Sequence, residues 1–270
     1  MNQEYEPKNF WNKRYKKFDI TTSGHIDLPF EFNQWMYKLK LLKIKKAFLK
    51  YIDKSDIHNT KIVELGCGTG VYIKQWKELG VENLIGIDIS SEATNNLMKE
   101  HPKYKFYDED LSSDQIPVIC GDKSADVVTA IGVLVHIVDD DEFRKSISNI
   151  SKIVKNDGIV IITEYLCRNE AQDKKYMKIR SFSWYKEELL KAGLEMVWQN
   201  PLYYFMGRPY DTPTRLSSAI LNSIFKVNRR LICRFPRTMG YLLYMIDKSI
   251  TPFIVDGPSE ELLIFRKITQ

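Results

Sequence analysis

Glycine recurs at every second position after a short apolar run near residue 65. Residues 63–70 read VELGCGTG, with glycine at 66, 68 and 70. Because glycine has no Cβ, such a run lets the backbone turn sharply and lets a ligand lie against the peptide amides. Asp88 follows at the end of another apolar run, and a carboxylate in that place can bind both hydroxyls of a ribose. These residues predict a site for a nucleoside.

Further side chains could complete that site and take part in a reaction there. A short acceptor and an apolar side chain, Asp110 and Leu111, could hold the edge and the face of an adenine. His136 has the intrinsic pKa range of a general base, and the alternative is a histidine that caps a helix or fills the core. Glu164 ends an apolar run and could face the same cleft, and the alternative is a solvated strand end.

Short strands alternate with helices of about ten residues from position 61 to 192. We predict strands over 61–65, 84–88, 104–107, 126–131 and 159–164, and helices over 71–79, 91–100, 140–154 and 183–192. The sequence NDG at 156–158 is expected to end the third of these helices in a left-handed conformation. This alternation indicates right-handed βαβ units with a mostly parallel sheet. The candidate residues then all lie at the carboxyl ends of strands, where open α/β sheets bind ligands.

Segments of different character flank this core. Four units are predicted: an N-terminal arm and helix over 1–58, the core over 59–200, a helical lid insertion over 201–258 and a last sheet strand over 259–270. The insertion is rich in aromatic residues and arginine, with helices expected near 217–228 and 239–250. An insertion in this place would cover the strand ends and would determine the identity of the substrate.

Composition excludes several classes of protein. The 270 residues include 40 Lys and Arg and 35 Asp and Glu, for a net charge of +5, and 44% are hydrophobic. These values are those of a globular protein rather than a disordered or fibrous one. No apolar run reaches the roughly 18 residues that span a bilayer, and no secretory signal is visible. The four cysteines form no CxxC pair, so neither zinc nor disulfides are predicted, and a cytoplasmic location is expected.

The motifs together resemble those of the class I S-adenosylmethionine-dependent methyltransferases. The likeness rests on ExGxGxG with a downstream Asp88, on residues 110–137 and on SKIVKNDGIVIITE at 151–164. It implies an α/β Rossmann-like three-layer sandwich whose sheet has seven strands, mostly parallel, with the last one antiparallel. It also implies the cofactor S-adenosyl-L-methionine and the product S-adenosyl-L-homocysteine. The cofactor residues that it implies are Glu64, Gly66, Cys67, Gly68, Gly70, Asp88, Ile89, Asp110, Leu111, Ile131 and Gly132, with Trp11 and Tyr15 from the N-terminal arm.

Other cofactors and metals fit the residues less well. The nicotinamide fingerprint GxGxxG/A needs a small residue in its sixth place, where this chain has Val71, and no P-loop motif occurs. Acidic residues at 139–141 could suggest a metal, but acidic side chains at a helix start cap amides and complement the helix dipole. We therefore predict no metal.

The acceptor is predicted only as a class. After the fourth strand the chain reads IGVL rather than the NPPY-type tetrapeptide, which by resemblance disfavours methylation of planar amides and base amino groups. We predict O-methylation of a small molecule or glycan terminus, with His136 and Glu164 as catalytic residues and His25, Tyr165, Tyr204 and Arg208 as substrate-binding residues. The alternatives are an RNA or protein methyltransferase that docks through basic stretches and a non-catalytic scaffold. Nucleic acid is disfavoured by the small charge excess; peripheral membrane contact and the oligomeric state stay open.

Overall fold

A seven-stranded sheet forms the centre of the molecule. The computed structural model describes residues 5–168 and 172–268. The strands are β1 (Lys61–Leu65), β2 (Asn83–Asp88), β3 (Lys105–Asp108), β4 (Ala125–Ile131), β5 (Val154–Cys167), β6 (Gln172–Lys174), β7 (Met177–Ser181), β8 (Leu194–Pro201) and β9 (Glu260–Lys267). In the main sheet the order is β3-β2-β1-β4-β5-β9-β8, and β9 runs antiparallel to both of its neighbours. The predicted α/β architecture with an antiparallel last strand is confirmed.

Helices cover both faces of this sheet. They are α1 (Pro7–Tyr15), α2 (Ile20–Ser23), α3 (Phe30–Tyr51), α4 (Val71–Leu79), α5 (Ser91–Glu100), α6 (Gln115–Cys120), α7 (Asp140–Ile153), α8 (Phe182–Lys191), α9 (Arg215–Arg234) and α10 (Pro236–Ile250). Successive strand residues point to opposite faces, so Val127 joins the apolar cluster of α3 and α4 while Val128 joins that of α6, α7 and α8. Among the described residues, no helix combines the length and the apolar character needed to cross a bilayer.

Two parts of the core differ from the sequence prediction. The prediction that NDG ends a helix is wrong: α7 ends at Ile153, and β5 starts at the next residue. The left-handed residue is Asp157, with φ 62°, inside β5, where the pairing with β4 also shifts register. The chain therefore takes its bend within the strand. Neither the hairpin of β6 and β7 nor the edge strand β8 is predicted, since β6 is short and β7 and β8 mix polar with apolar residues.

Candidate active site

A cavity of about 540 Å³ opens at the carboxyl ends of β1, β2 and β4. The loops after these strands form its floor, and α1, α3 and α9 contribute side chains to its walls. Most of the residues singled out from the sequence line it: Trp11, Tyr15, His25, Gly66, Cys67, Gly68, Asp88, Ile89, Asp110, Leu111, Ile131, Gly132, His136, Tyr165 and Arg208. Residues from both ends of the sequence thus meet at one place.

The glycine loop after β1 is held in a shape that side chains would prevent. Gly66 and Gly68 have φ of 69° and 49°, in the left-handed region that favours glycine. A Cβ on Gly66 would lie 2.5 Å from Val133, and one on Gly68 would lie 2.8 Å from the hydroxyl of Tyr15. The loop therefore lies tightly between the segment after β4 and the N-terminal arm.

Asp88 joins the glycine loop to the end of β2. Its Oδ2 accepts the amide of Gly68 at 2.8 Å, and its Oδ1 accepts the amide of Ser90 at 2.9 Å. Burial raises the pKa of this carboxyl to about 6, against the opposing effect of the two amides. A carboxylate has about four lone-pair sites, so two stay free for hydroxyl donors in the cavity. This arrangement fits the two hydroxyls of a ribose.

Helix α1 lies across this part of the cavity. Trp11 stacks on Tyr15 with ring centroids 5.5 Å apart, and Tyr15 is buried. The side chain of Asn12 accepts a hydrogen bond from the hydroxyl of Ser90 at 2.7 Å, which attaches α1 to the start of α5. The arm thereby lies close over the glycine loop, with the hydroxyl of Tyr15 next to Gly68.

His136 lies in a short 3-10 turn after β4 and lines the cavity. Its Nδ1 lies 2.8 Å from the carbonyl oxygen of Tyr176, and its ring meets Trp11 edge-on at 4.8 Å. A carbonyl only accepts, so Nδ1 carries the proton and Nε2 is left as an acceptor. Burial lowers the pKa of His136 to about 4, so the ring is neutral at pH 7.

A second histidine lines the opposite part of the cavity. The Nε2 of His25 lies 3.5 Å from the hydroxyl of Tyr165, whose ring meets that of Tyr210 edge-on at 5.3 Å. The side chain of Asn33 bonds both the amide and the carbonyl of His25, at 2.9 and 3.0 Å. Burial lowers the pKa of His25. Asn33 therefore holds the loop of His25 against the cavity, and a substrate-binding role for His25 stays a prediction.

A buried ion pair that was not predicted from the sequence lies beside these groups. Glu260 accepts hydrogen bonds from Lys40 and, at 2.6 Å, from the hydroxyl of Thr163. A Cβ on Gly132 would lie 3.7 Å from both charged groups, so the pair adjoins the predicted cofactor backbone. These residues are far apart in the sequence, and no local motif connects them. The only signal is a pair of glutamates at the start of a strand whose next four residues are apolar.

Four predicted residues lie outside the lining of this cavity. Glu64 is buried and accepts the indole N–H of Trp76 at 2.6 Å, and burial raises its pKa to about 8. Gly70, in the left-handed conformation, starts α4 and packs against Leu97. The ring of Tyr204 packs edge-on against that of Phe205.

Glu164 is the fourth of these residues. Its carboxyl is 2% exposed, so the alternative of a solvated strand end is wrong. One oxygen accepts the amide of Tyr165 at 2.9 Å, while the other has no hydrogen-bond partner within the described part of the chain. Burial raises its pKa to about 8, so it is largely protonated at pH 7. Its catalytic role stays a prediction.

The acidic run at 139–141 serves the helix that follows it. Asp139 accepts the amides of Asp141 and Glu142 at 2.8 and 2.9 Å and so caps α7. Asp140 pairs with Arg180 and Lys178 on β7. Both carboxylates are thus engaged in structural contacts.

Comparison with known proteins gives matches to the core of the chain. Residues 63–162 match a family described as a methyltransferase domain. A ribosomal protein L11 methyltransferase of Marinomonas sp. (strain MWYL1) is 29% identical over 46% of this chain and 40% of its own length. A ubiquinone/menaquinone biosynthesis C-methyltransferase, UbiE, of Campylobacter jejuni (strain 81-176) is 26% identical over 47% of this chain and 53% of its own. The chain thus spans about half the length of these curated relatives.

The fold is shared more widely than the sequence. The crystal structure of a SAM dependent methyltransferase from Archaeoglobus fulgidus superposes with a TM-score of 0.52 and 17% identity, over 86% of this chain and 94% of that one. The matched residues 63–162 contain the glycine loop, Asp88, Asp110 and His136. The comparisons therefore coincide with the part of the chain that forms the floor of the cavity.

Proposed function

We propose that this chain, which carries a class I methyltransferase domain of Rossmann-like fold, transfers a methyl group from S-adenosylmethionine to a small molecule or to a glycan terminus. One observation carries the proposal: a buried carboxylate, Asp88, faces the cavity beside a glycine loop in which a Cβ would collide with Val133 or Tyr15. Fold alone does not determine activity, so the proposal depends on this site.

The residues of the cavity fit that cofactor. Asp88 would accept the ribose hydroxyls, and Asp110 with Leu111 would hold the adenine edge and face. The backbone from Gly66 to Gly68 and around Gly132 would line the methionine part. When bound, S-adenosylmethionine supplies a methyl group on a positively charged sulfur that becomes neutral on transfer.

The protein itself would contribute to methyl transfer mainly by aligning the acceptor with the methyl group. Holding an acceptor in line with the methyl group is worth roughly 7–11 kcal/mol when the bound geometry is right. The tautomer of His136 leaves Nε2 free to accept the proton of an acceptor hydroxyl. Helix α1 covers the loop and would exclude water that competes with the acceptor.

Size and lining support a small acceptor. The cavity of about 540 Å³ lies within the range of about 300–1,000 Å³ usual for small-molecule sites. Tyr165, Tyr210 and Phe225 offer aromatic faces, and Arg208 offers a charge suited to phosphate or carboxylate. The acceptor is proposed to be a hydroxyl compound that bears an anionic group.

A second candidate is an RNA or protein acceptor. Lys226 and Arg229 of α9 reach the cavity wall, so a charged polymer end could approach there. The two relatives described above are named for a protein and for quinones. The cytoplasm is the proposed compartment, because all four cysteines are free thiols, three of them buried.

The test begins with cofactor binding. Titration calorimetry with S-adenosylhomocysteine should show binding, and Asp88→Ala should weaken it by the ~1–3 kcal/mol of a lost charged hydrogen bond. Unchanged affinity in that variant would refute the ribose assignment. Absence of any binding heat at millimolar ligand would favour a scaffold.

The acceptor is then sought by methyl transfer. Release of S-adenosylhomocysteine should be measured with sugar phosphates and glycan termini, and in parallel with total RNA and protein extracts. Turnover only with the polymers would replace the first candidate by the second. A steep loss of acceptor binding with salt would accompany an RNA acceptor.

A further inference from the structure

Exposed apolar side chains are concentrated in the lid. In the described residues, eleven of the eighteen large apolar side chains that are exposed lie between positions 216 and 255. Helix α9 has 20 residues, of which only Ile232 is buried. Scattered exposed apolar residues are normal, but a dense group marks an interaction surface.

Helix α9 has two distinct faces. Asn222, Phe225, Lys226 and Arg229 follow helical spacing and line the cavity. Leu216, Ile220, Val227 and Leu231 are exposed by 71%, 51%, 54% and 39% and follow the same spacing on another side. At 3.6 residues per turn the centres of the two sets lie about 160° apart. The apolar outer face of α9 therefore points away from the cavity that its inner face covers.

Helix α10 repeats this division. Gly240, Leu243 and Tyr244 are buried, and Gly240 packs against Trp35 of α3. Leu242 and Met245 are exposed by 48% and 41%. Helix α10 is thus packed against the core along one side and has exposed apolar residues along the other.

The exposed charges of α9 and α10 are all positive. Residues 215–250 contain seven Lys and Arg and a single acidic residue, Asp247. Asp247 is fully buried, where it accepts the amides of residues 204–206. The exposed surface of the two helices therefore combines apolar and cationic side chains without an acidic one.

We propose that the exposed faces of α9 and α10 dock on a lipid bilayer that carries anionic headgroups. Apolar residues would enter the acyl boundary while the arginines would meet lipid phosphates, as in helices that lie in the membrane plane. A second copy of the chain would bring the same cations against each other, and a nucleic acid would leave the apolar residues unused. Because α9 also forms a cavity wall, docking would place the candidate site next to the membrane surface.

Vesicle sedimentation with the whole chain tests this. The protein should bind vesicles of phosphatidylcholine with 30% phosphatidylglycerol, and weakly or not at all those of phosphatidylcholine alone. Leu216→Glu with Val227→Glu should lower binding at least tenfold, and Arg230→Gln with Arg234→Gln should lower it by about fivefold per arginine. Val118→Glu is the matched control, since Val118 is 74% exposed on α6, and should leave binding unchanged.

The outcomes separate the proposals. Failure to bind anionic vesicles, or equal binding by the α9 variant and the control, overturns membrane docking. A dimer in sedimentation velocity that the α9 variant converts to a monomer, without vesicle binding, assigns the face to a second copy instead. Affinity for S-adenosylhomocysteine should be the same in all variants, so loss of docking leaves the proposed function untouched.

Discussion

Single residues in the cavity would carry the proposed chemistry, and burial shifts the pKa of several of them. Burial raises the pKa of Asp88 and lowers the pKa values of His136 and His25, because the charged form of each group is poorly hydrated there. Sequence reasoning identified all three residues from local motifs, since each follows a strand or lies in a distinctive loop. It left open their partners, because the fold alone brings Tyr176 to the ring of His136, where it fixes the tautomer, and Asn33 to the backbone of His25.

His136 is expected to act on the acceptor and not on the cofactor. We expect His136→Gln to lower turnover by ~10²–10⁴ and to leave cofactor affinity unchanged, because only the free Nε2 takes a proton. Initial rates at saturating cofactor measure the first effect, and calorimetry measures the second. His58→Gln, at an exposed position outside the cavity, is the control. Undiminished turnover would mean that alignment alone suffices and that the histidine is structural.

Cofactor affinity should depend on pH through Asp88. The ionised carboxyl would accept the ribose hydroxyls, and burial raises its pKa to about 6. Affinity is therefore expected to be constant above pH 7 and to fall below about pH 6, by up to about tenfold per pH unit. Calorimetry with S-adenosylhomocysteine between pH 5 and 7 measures this. Asp88→Asn should give a weak affinity that does not change over that range, and a parallel decline in this variant would locate the titration elsewhere.

At the scale of elements, buried polar contacts attach the lid to the core. Lys43 of α3 donates to the carbonyl of Pro201 and, at 2.6 Å, to the hydroxyl of Thr251, which join β8 and the end of α10. Burial lowers the pKa of Lys43 to about 8. The strands and helices of the core were predictable because hydrophobic period and helix caps are local signals, such as the cap that Ser90 provides for α5. The lid's attachment was not, because it joins residues about 160–210 positions apart.

Removal of Asp247 tests that attachment. We expect Asp247→Ala to lower the free energy of unfolding by about 3 kcal/mol, since three amides lose a charged acceptor within a buried site. Urea denaturation at equilibrium measures the change. Asp247→Asn should lose less because one acceptor oxygen remains, and Asp256→Ala should stay within about 1 kcal/mol because its ion pair with Arg168 is exposed. If Asp247→Ala also lowered the free energy of unfolding by no more than about 1 kcal/mol, water would have to replace the carboxylate as the acceptor.

At the scale of the whole molecule, one sheet edge collects residues from nearly the full length of the chain. The antiparallel last strand followed from the resemblance of the motifs, and the arm and the lid were expected near the strand ends. The strand order and the contribution of the last strand to the cavity, through Glu260, were not predicted. Amphipathic pattern indicated that the lid helices exist. It did not indicate which face would cover the cavity, since that choice is made by packing against α3.

The ion pair between Lys40 and Glu260 joins positions 220 residues apart at the wall of the cavity. This part of the wall can therefore form only after residue 260 has been synthesised and has left the ribosome far enough to reach the sheet. The glycine loop and Asp88 emerge much earlier. A nascent chain would therefore contain the residues proposed to bind the nucleoside before the rest of the cavity wall has been translated. Activity would therefore appear only after β9 has left the ribosome.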